Sequence, residues 1–233
     1  MVVGSDWPDP TAAWSDARVI TTVLFDFGGV FTPSPFAAAR SGGSVLGHDP
    51  EVVIEIIFGK YDDDNDHPWH RLERGEVSLA DARAQIMADA RSRGFELDPF
   101  DALAGMASKE HDEEPFIERA RRLRADGYRT GLITNNVAEF RDHWRKMVPV
   151  DELFEIVIDS CEVGMRKPDP RVFHLALDHF GAAPEATVFL DDFEGNIAAA
   201  SALGLHGILV GDDRHAAVAA LDDLLARYPL PKS

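Results

Sequence analysis

The sequence predicts an α/β protein with a Rossmann-like parallel sheet, helices on both faces of the sheet, and an inserted small helical cap domain. Three observations predict this fold class. Short apolar runs alternate with segments of helical spacing, one long stretch without a strand pattern interrupts this alternation, and polar residues follow directly after the apolar runs. Strands that alternate with helices form parallel βαβ units, and such a sheet is covered on both faces.

The predicted strands are short runs rich in Val, Ile, Leu and Phe. Runs of this length and composition, bounded by polar or turn-forming residues, are typical of strands buried on both faces. The five runs are Val19–Phe25, Tyr128–Thr134, Ile156–Asp159, Thr187–Leu190 and Gly207–Val210.

Helical segments lie between the later strands. Pro170 is typical of a first helical turn, and Gly181 is typical of the residue that follows a helix. The same criteria and the spacing of apolar residues predict the helices Phe116–Ala125, Pro170–Phe180, Gly195–Leu203 and His215–Tyr228.

The long stretch between the first two strands has helical patterns at 49–60, 78–93 and 97–108 and no convincing strand. An insertion at this point predicts a helical cap above the sheet. We therefore expect three parts, which are a flexible leader (1–18), a Rossmann-like core domain (19–35 and 116–233) and a cap domain (36–115).

The charge of the chain makes two classes of partner poor candidates. The 233 residues include 23 Lys and Arg against 41 Asp and Glu, a net charge of −18, which disfavours binding to nucleic acid and to anionic membranes.

The single cysteine, Cys161, argues against an internal disulfide or a paired-cysteine metal site. No apolar run approaches the length of a membrane helix, and the first residues lack the pattern of a signal peptide. We expect a cytoplasmic protein, monomer or homodimer.

Polar residues follow the predicted strands at the points where the strands end. Asp26 follows the first strand, Thr134 ends the second, and Asp191 and Asp192 follow the fourth, while Lys167 precedes a helix start. The carboxyl ends of parallel strands meet at one edge of a sheet, where ligands bind. Carboxylates in proximity repel and suit a hard cation such as Mg²⁺, and a lysine with backbone amides can hold a phosphate beside it.

Four segments, Asp26–Val30, Thr134–Asn136, Lys167–Pro170 and Leu190–Asn196, resemble in order and spacing the four motifs of the haloacid dehalogenase-like hydrolase superfamily. The insertion is similar to the small cap of its subfamily I. The Asp-Phe-Gly-Gly-Val form of the first motif is most similar to the branch that contains the N-terminal phosphatase domain of soluble epoxide hydrolase.

The resemblance implies a Mg²⁺-dependent phosphatase that acts on a small phosphorylated metabolite. It would form an aspartyl-phosphate on its nucleophile, which water then hydrolyses. Lys167 would shield the charges of nucleophile and phosphate, and Thr134 and the amide of Asn135 would bind the phosphoryl oxygens. The remaining roles that the resemblance implies are nucleophile and metal ligand for Asp26, metal ligands for Asp192 and the Gly28 carbonyl, a water-mediated metal contact for Asp191, and a supporting role for Asn196.

The sequence departs from the family pattern at Gly28, where its phosphatases usually have a second aspartate that protonates the leaving oxygen. Loss of such a group typically costs about 10²- to 10⁴-fold in rate, so we expect slow turnover or a substitute proton donor. Two alternatives stay open, which are hydrolysis of 2-haloacids and a non-catalytic module that binds a phosphorylated ligand. The candidates for a substitute proton donor are Thr32, Ser34, His67 and His70.

One further acidic stretch, from Asp62 to Glu73, has carboxylates at the first, third, fifth and twelfth positions of a calcium-loop pattern. The sixth position requires glycine and is His67 here. The pattern therefore indicates a solvated acidic loop of the cap.

Overall fold

The computed structural model describes residues 19–104 and 114–231. The strands are β1 (Thr22–Phe25), β2 (Arg129–Thr134), β3 (Ile156–Asp159), β4 (Thr187–Asp191) and β5 (His206–Leu209). They form one parallel sheet in the order β3-β2-β1-β4-β5. The predicted fold class is confirmed, and β1 lies at the centre of the sheet.

The helices before β2 are α1 (Pro35–Val45), α2 (Pro50–Phe58), α3 (Pro68–Glu73), α4 (Leu79–Ser92), α5 (Pro99–Leu103) and α6 (Glu114–Ala125). Those after β2 are α7 (Arg141–Trp144), α8 (Val150–Leu153), α9 (Ser160–Val163), α10 (Pro170–Phe180), α11 (Glu194–Ala202) and α12 (Arg214–Arg227). Among the described residues, no helix has the length and apolar character to cross a membrane.

The side chains of β1 show how the sheet is covered. Val23 and Phe25 are fully buried in an apolar core that includes residues of α6 and α12. Leu24 points to the other face, into a core that includes residues of α10 and α11. Successive side chains of a strand point to opposite faces, so the alternation along β1 places helices on both sides of the sheet.

Helices α1 to α5 build an apolar core of their own. Ile56 and Phe58 of α2 and Ile86 of α4 are buried in it. Val137 and Phe193, which follow β2 and β4, pack against the same core. These helices therefore lie over the carboxyl edge of the sheet, while the exact division into leader, core domain and cap domain stays a prediction.

Some boundaries differ from those that the sequence predicts. β1 begins at Thr22 because Ile20 and Thr21 donate their backbone N–H groups to Tyr228 and Ala186, outside the ladder. β5 lies one residue earlier than expected. The predicted leader and the end of the predicted helix 97–108 fall outside the described residues.

Candidate active site

The register of the parallel strands brings the residues at their carboxyl ends together. Phe25 of β1 pairs with Leu132 of β2 on one side and with Leu190 of β4 on the other. The next residue, Asp26, donates its backbone N–H to the Leu190 carbonyl at 2.8 Å. The ends of β1, β2 and β4 therefore lie side by side, and they carry Asp26, Thr134 and Asp191.

Lys167 joins the carboxylates of two neighbouring strands. Its Nζ lies 2.7 Å from Asp26 Oδ1 and 2.7 Å from Asp191 Oδ2. Lys167 is fully buried. Burial opposes its charged form, but the carboxylates of Asp191 and Asp26 outweigh this effect and raise the pKa of Lys167. The lysine is therefore a fixed cation beside the candidate nucleophile.

Three carboxylates form a cluster at this edge. Asp26, Asp191 and Asp192 each offer an oxygen, and these oxygens lie within 4.8 Å of one another. Burial raises the pKa of Asp26 well above its usual value, against the charge of Lys167. Burial and the charge of Asp191 raise the pKa of Asp192 to about 7. Crowded and desolvated carboxylates of this kind are stabilised by a bound cation.

Asn196 supplies a second sign of a cation site. Its Nδ2 donates to both oxygens of Asp191, at 3.1 and 3.0 Å, whereas its buried Oδ1 has no partner among the described residues. A buried carbonyl oxygen with no protein partner, beside three carboxylates, is an arrangement that suits a bound water or cation. This all-oxygen donor set fits Mg²⁺.

The two glycines after Phe27 differ in whether their surroundings would accommodate a side chain. Gly29 has φ +74°, and a Cβ there would lie 2.1 Å from Cγ of Asp192, so the position requires glycine. A Cβ at Gly28 would lie 3.7 Å from the ring of Pro35, which is an ordinary contact. The absence of an aspartate at position 28 is therefore not forced by crowding. The Gly28 carbonyl as a metal ligand stays a prediction.

Asn135 fixes the backbone of Lys167. Its Oδ1 accepts from the Lys167 N–H at 2.8 Å, and its Nδ2 donates to the Lys167 carbonyl at 3.0 Å and to Tyr61 Oη at 3.1 Å. Thr134 is buried and lines the same cavity. Phosphoryl binding by Thr134 and by the Asn135 amide stays a prediction.

A buried cluster that the sequence did not predict joins the cap to the core. Glu73 of α3 accepts from Arg166 Nε at 2.7 Å, from Tyr61 Oη at 2.7 Å and from Trp69 Nε1 at 2.8 Å. The Arg166 guanidinium also lies 4.2 Å from the centre of the Tyr61 ring. Glu73 is therefore a buried partner of Arg166, and its assignment to a solvated acidic loop is wrong. The one hint in the sequence is that Arg166 precedes Lys167.

The structure also narrows the list of substitute proton donors. His70 is fully buried, accepts from the Asn65 N–H at Nδ1 and bonds the Phe58 carbonyl through Nε2. His67 Nδ1 accepts from the Trp69 N–H and caps α3. Both histidines are absent from the cavity wall, so their proposal as proton donors is wrong. Of the four candidates, Thr32 lines the cavity.

A cavity of about 490 Å³ opens between the carboxyl edge of the sheet and the cap. Asp26, Thr134, Lys167 and Asp192 lie at its polar end. The rest of the wall is mostly apolar and comes from both the cap and the core. It includes Phe27, Pro33, Pro35, Phe36, Phe58, Trp69, Phe100, Leu103, Ala104, Val137, Phe140, Trp144, Met147 and Phe193.

A parallel sheet with a buried aspartate and lysine at its carboxyl edge, covered by helices, defines a class of capped α/β hydrolases. The chain belongs to the haloacid dehalogenase-like hydrolases, whose family model matches residues 20–204. The resemblance to this family that the four motifs predict is confirmed.

The chain is similar to two curated relatives. It is 30% identical to acyl-CoA dehydrogenase family member 10 of Mus musculus over 220 residues, which cover 93% of this chain and 20% of the relative. It is 36% identical to bifunctional epoxide hydrolase 2 of Rattus norvegicus over 102 residues, which cover 42% of this chain and 18% of the relative. The chain thus spans about a fifth of the length of these relatives.

A solved structure agrees in fold. The haloacid dehalogenase family enzyme bt-2542 of Bacteroides thetaiotaomicron, in complex with magnesium and inorganic phosphate, has a TM-score of 0.58 and 25% identity. The match covers 83% of this chain and 96% of that chain.

Proposed function

We propose that the protein is a Mg²⁺-dependent phosphatase of phosphate monoesters and that Asp26 is its nucleophile. The observation that carries this proposal is the position of Lys167 Nζ, 2.7 Å from the oxygens of both Asp26 and Asp191. A fixed cation beside a buried carboxylate lets that carboxylate approach an anionic phosphoryl group. The phosphate in the related bt-2542 structure supports the same class of ligand.

The reaction has two steps. In the first, a carboxylate oxygen of Asp26 attacks phosphorus, the bond between phosphorus and the ester oxygen breaks, and the leaving oxygen takes a proton from solvent water to become an alcohol. In the second, water attacks phosphorus of the aspartyl-phosphate and gives up a proton to solvent, the bond to Asp26 breaks, and inorganic phosphate leaves. Lys167 offsets the negative charge of the phosphoryl group in both steps, and Thr134 and the Asn135 amide bind its oxygens.

Asp26, Asp192 and the Gly28 carbonyl would hold Mg²⁺, with Asp191 in contact through a water and Asn196 supporting the site. When bound, Mg²⁺ supplies positive charge that lowers the repulsion between Asp26 and the substrate. The magnesium in the related bt-2542 structure and the unpaired Asn196 Oδ1 support this assignment. A cytoplasmic location remains part of the proposal.

Phosphate release from 4-nitrophenyl phosphate tests the proposal. We expect Mg²⁺-dependent release by the wild-type protein, loss of release with EDTA, and at least a thousandfold lower rate for Asp26→Asn. Release that is unaffected by both EDTA and Asp26→Asn would contradict the mechanism. Chloride release from 2-chloropropionate without metal would favour the haloacid alternative instead.

A further inference from the structure

The cavity beside the candidate nucleophile has two ends of different chemistry. The phosphoryl end carries the residues of the four motifs, among them Asp26, Thr134 and Lys167. Beyond this end, the described wall is largely built from aromatic and aliphatic side chains of the cap and the core. The volume of about 490 Å³ exceeds what a phosphate group alone requires and lies within the range of small-ligand sites.

The polar atoms on the apolar part of the wall are mostly bonded to one another. Tyr61 Oη and Trp69 Nε1 both donate to Glu73 Oε1, at 2.7 and 2.8 Å. Thr32 Oγ1 donates to the Pro33 carbonyl at 3.2 Å. A leaving group with several hydroxyls would therefore find few partners, and each unpaired buried polar group is costly.

The free polar groups of this part of the wall are few. Among the described lining side chains they are the amide nitrogen of Asn136 beside the phosphoryl end, the ring of the exposed His143, and the indole N–H of Trp144, which is buried and has no hydrogen-bond partner. These groups can satisfy one or two oxygens but not the several hydroxyls of a sugar.

The charges of the cavity also select the substrate. Lys167 is the one lysine or arginine among the described lining residues, and both of its ion-pair partners belong to the phosphoryl end. Glu73, which also lines the cavity, is an acid already paired with Arg166. Among the described lining residues, a second anionic group on the substrate would therefore meet a carboxylate and no free lysine or arginine, which disfavours binding.

We infer that the substrate is a phosphate monoester whose leaving group is apolar, carries no second charge, and fills the aromatic cavity between cap and core. This inference rests on the proposed function and narrows it. It distinguishes the expected substrates from phosphorylated sugars, amino acids and carboxylic acids, whose polar groups the described wall does not satisfy. Apolar contact supplies the binding free energy, at about fourfold in affinity for each methylene that becomes fully buried.

A series of 4-alkylphenyl phosphates tests the inference, because the acidity of the leaving phenol stays nearly constant as the chain grows. We expect kcat/KM to rise from phenyl phosphate to 4-butylphenyl phosphate by at least tenfold. The matched probe is 4-(3-carboxypropyl)phenyl phosphate, which ends in a carboxylate and should lose this gain.

Two variants locate the apolar wall. Met147 lines the cavity and is 42% exposed, whereas Leu175 of α10 is 37% exposed and lies outside the cavity wall. We expect Met147→Ser to lower the ratio of kcat/KM for 4-butylphenyl to phenyl phosphate at least twofold. The control Leu175→Ser should leave that ratio unchanged. An unchanged ratio in Met147→Ser as well would contradict this position for the alkyl chain.

The two proposals fail in different ways. If phosphate release depends on Asp26 but is equal or slower for the longer chains, the apolar-substrate inference is overturned and the proposed function stands. If no member of the series gives release that Asp26→Asn abolishes, the proposed function fails and the inference falls with it. Equal rates for the butyl and carboxypropyl probes would also overturn the inference.

Discussion

At the scale of single residues, we propose that Gly28 limits the rate of turnover. A Cβ at this position would make only ordinary contact with Pro35, so an aspartate can be introduced without a clash. We predict that Gly28→Asp raises kcat for phenyl phosphate by about 10²- to 10⁴-fold, because it supplies a general acid at the leaving oxygen. The gain should be smaller for 4-nitrophenyl phosphate, whose leaving group needs little protonation.

The control for this prediction is Gly28→Asn, which has nearly the same shape but cannot transfer a proton. Steady-state kinetics of the two variants on both substrates separate proton transfer from packing. Equal rates for Gly28→Asp and Gly28→Asn would show that position 28 does not reach the leaving oxygen.

A second prediction concerns His70, a buried residue of the cap. Burial and the nearby charge of Arg166 lower the pKa of His70 to about 3, from a usual value of 6.5. Its Nδ1 accepts from the Asn65 N–H, so a second proton has no place there. Between about pH 3 and pH 6.5, the unfolded chain binds a proton at His70 that the folded protein excludes. The free energy of unfolding should therefore fall as the pH falls below 6.5, by up to about 1.4 kcal/mol per pH unit.

Denaturant unfolding of the wild-type protein and of His70→Gln at pH 7.5, 6.5, 5.5 and 5.0 measures this effect. Carboxylates contribute equally in both proteins, so the difference in slope isolates residue 70. We expect the steeper loss of stability in the wild-type protein. Parallel curves would refute the exclusion of the proton.

At the scale of elements, α3 is fixed to the loop before α10 by the buried pair of Glu73 and Arg166. Both side chains are almost completely buried, with 4% and 0% of their surface exposed. Removal of one partner of a buried ion pair costs about 3 to 5 kcal/mol, because the other charge stays buried. We predict that Arg166→Met lowers the free energy of unfolding by an amount in this range.

Double-mutant analysis checks this prediction. Glu73→Gln keeps an acceptor for Tyr61 and Trp69, so the double variant should lose less stability than the sum of its single variants. Arg122→Met breaks an exposed pair with Glu118 on α6 and should change stability by less than about 1 kcal/mol. Additive losses in the double variant would mean that the pair does not couple the cap to the core.

The elements also show what the sequence could predict. The strands were predictable because a buried parallel strand is a short apolar run. The site residues were predictable because the carboxyl ends of parallel strands meet at one edge of the sheet. Helix α1 was not predicted, since its glycines weaken the helical pattern. Gly42 is there because a Cβ would lie 2.2 Å from the Ala102 carbonyl oxygen of α5, and such a contact between distant segments leaves no local pattern. The pair of Glu73 and Arg166 escaped prediction for the same reason.

At the scale of the whole molecule, a chain of net charge −18 concentrates three carboxylates at one edge of its sheet, two of them buried and one half-buried. We predict that Mg²⁺ raises the thermal midpoint of the wild-type protein, because a cation that binds only the folded state stabilises it by about 2.7 kcal/mol at one hundred times its Kd. Differential scanning fluorimetry with a Mg²⁺ titration measures the shift.

Two variants control for charge alone. Asp192→Asn should abolish most of the Mg²⁺-dependent shift, whereas Glu96→Gln, which removes an equal charge from a side chain that is 87% exposed, should preserve it. A shift that is the same in all three proteins would indicate non-specific screening and would remove the support for a metal site.

In the proposed mechanism, Asp26 carries the phosphoryl group during turnover. Peptide mass spectrometry of wild-type protein, quenched in acid during turnover of 4-nitrophenyl phosphate with Mg²⁺, tests it most directly. We predict a phosphoryl group on the peptide that contains Asp26, with none in the same peptide of Asp26→Asn. A phosphoryl group on another residue, or steady turnover without any phosphorylated peptide, would contradict the mechanism.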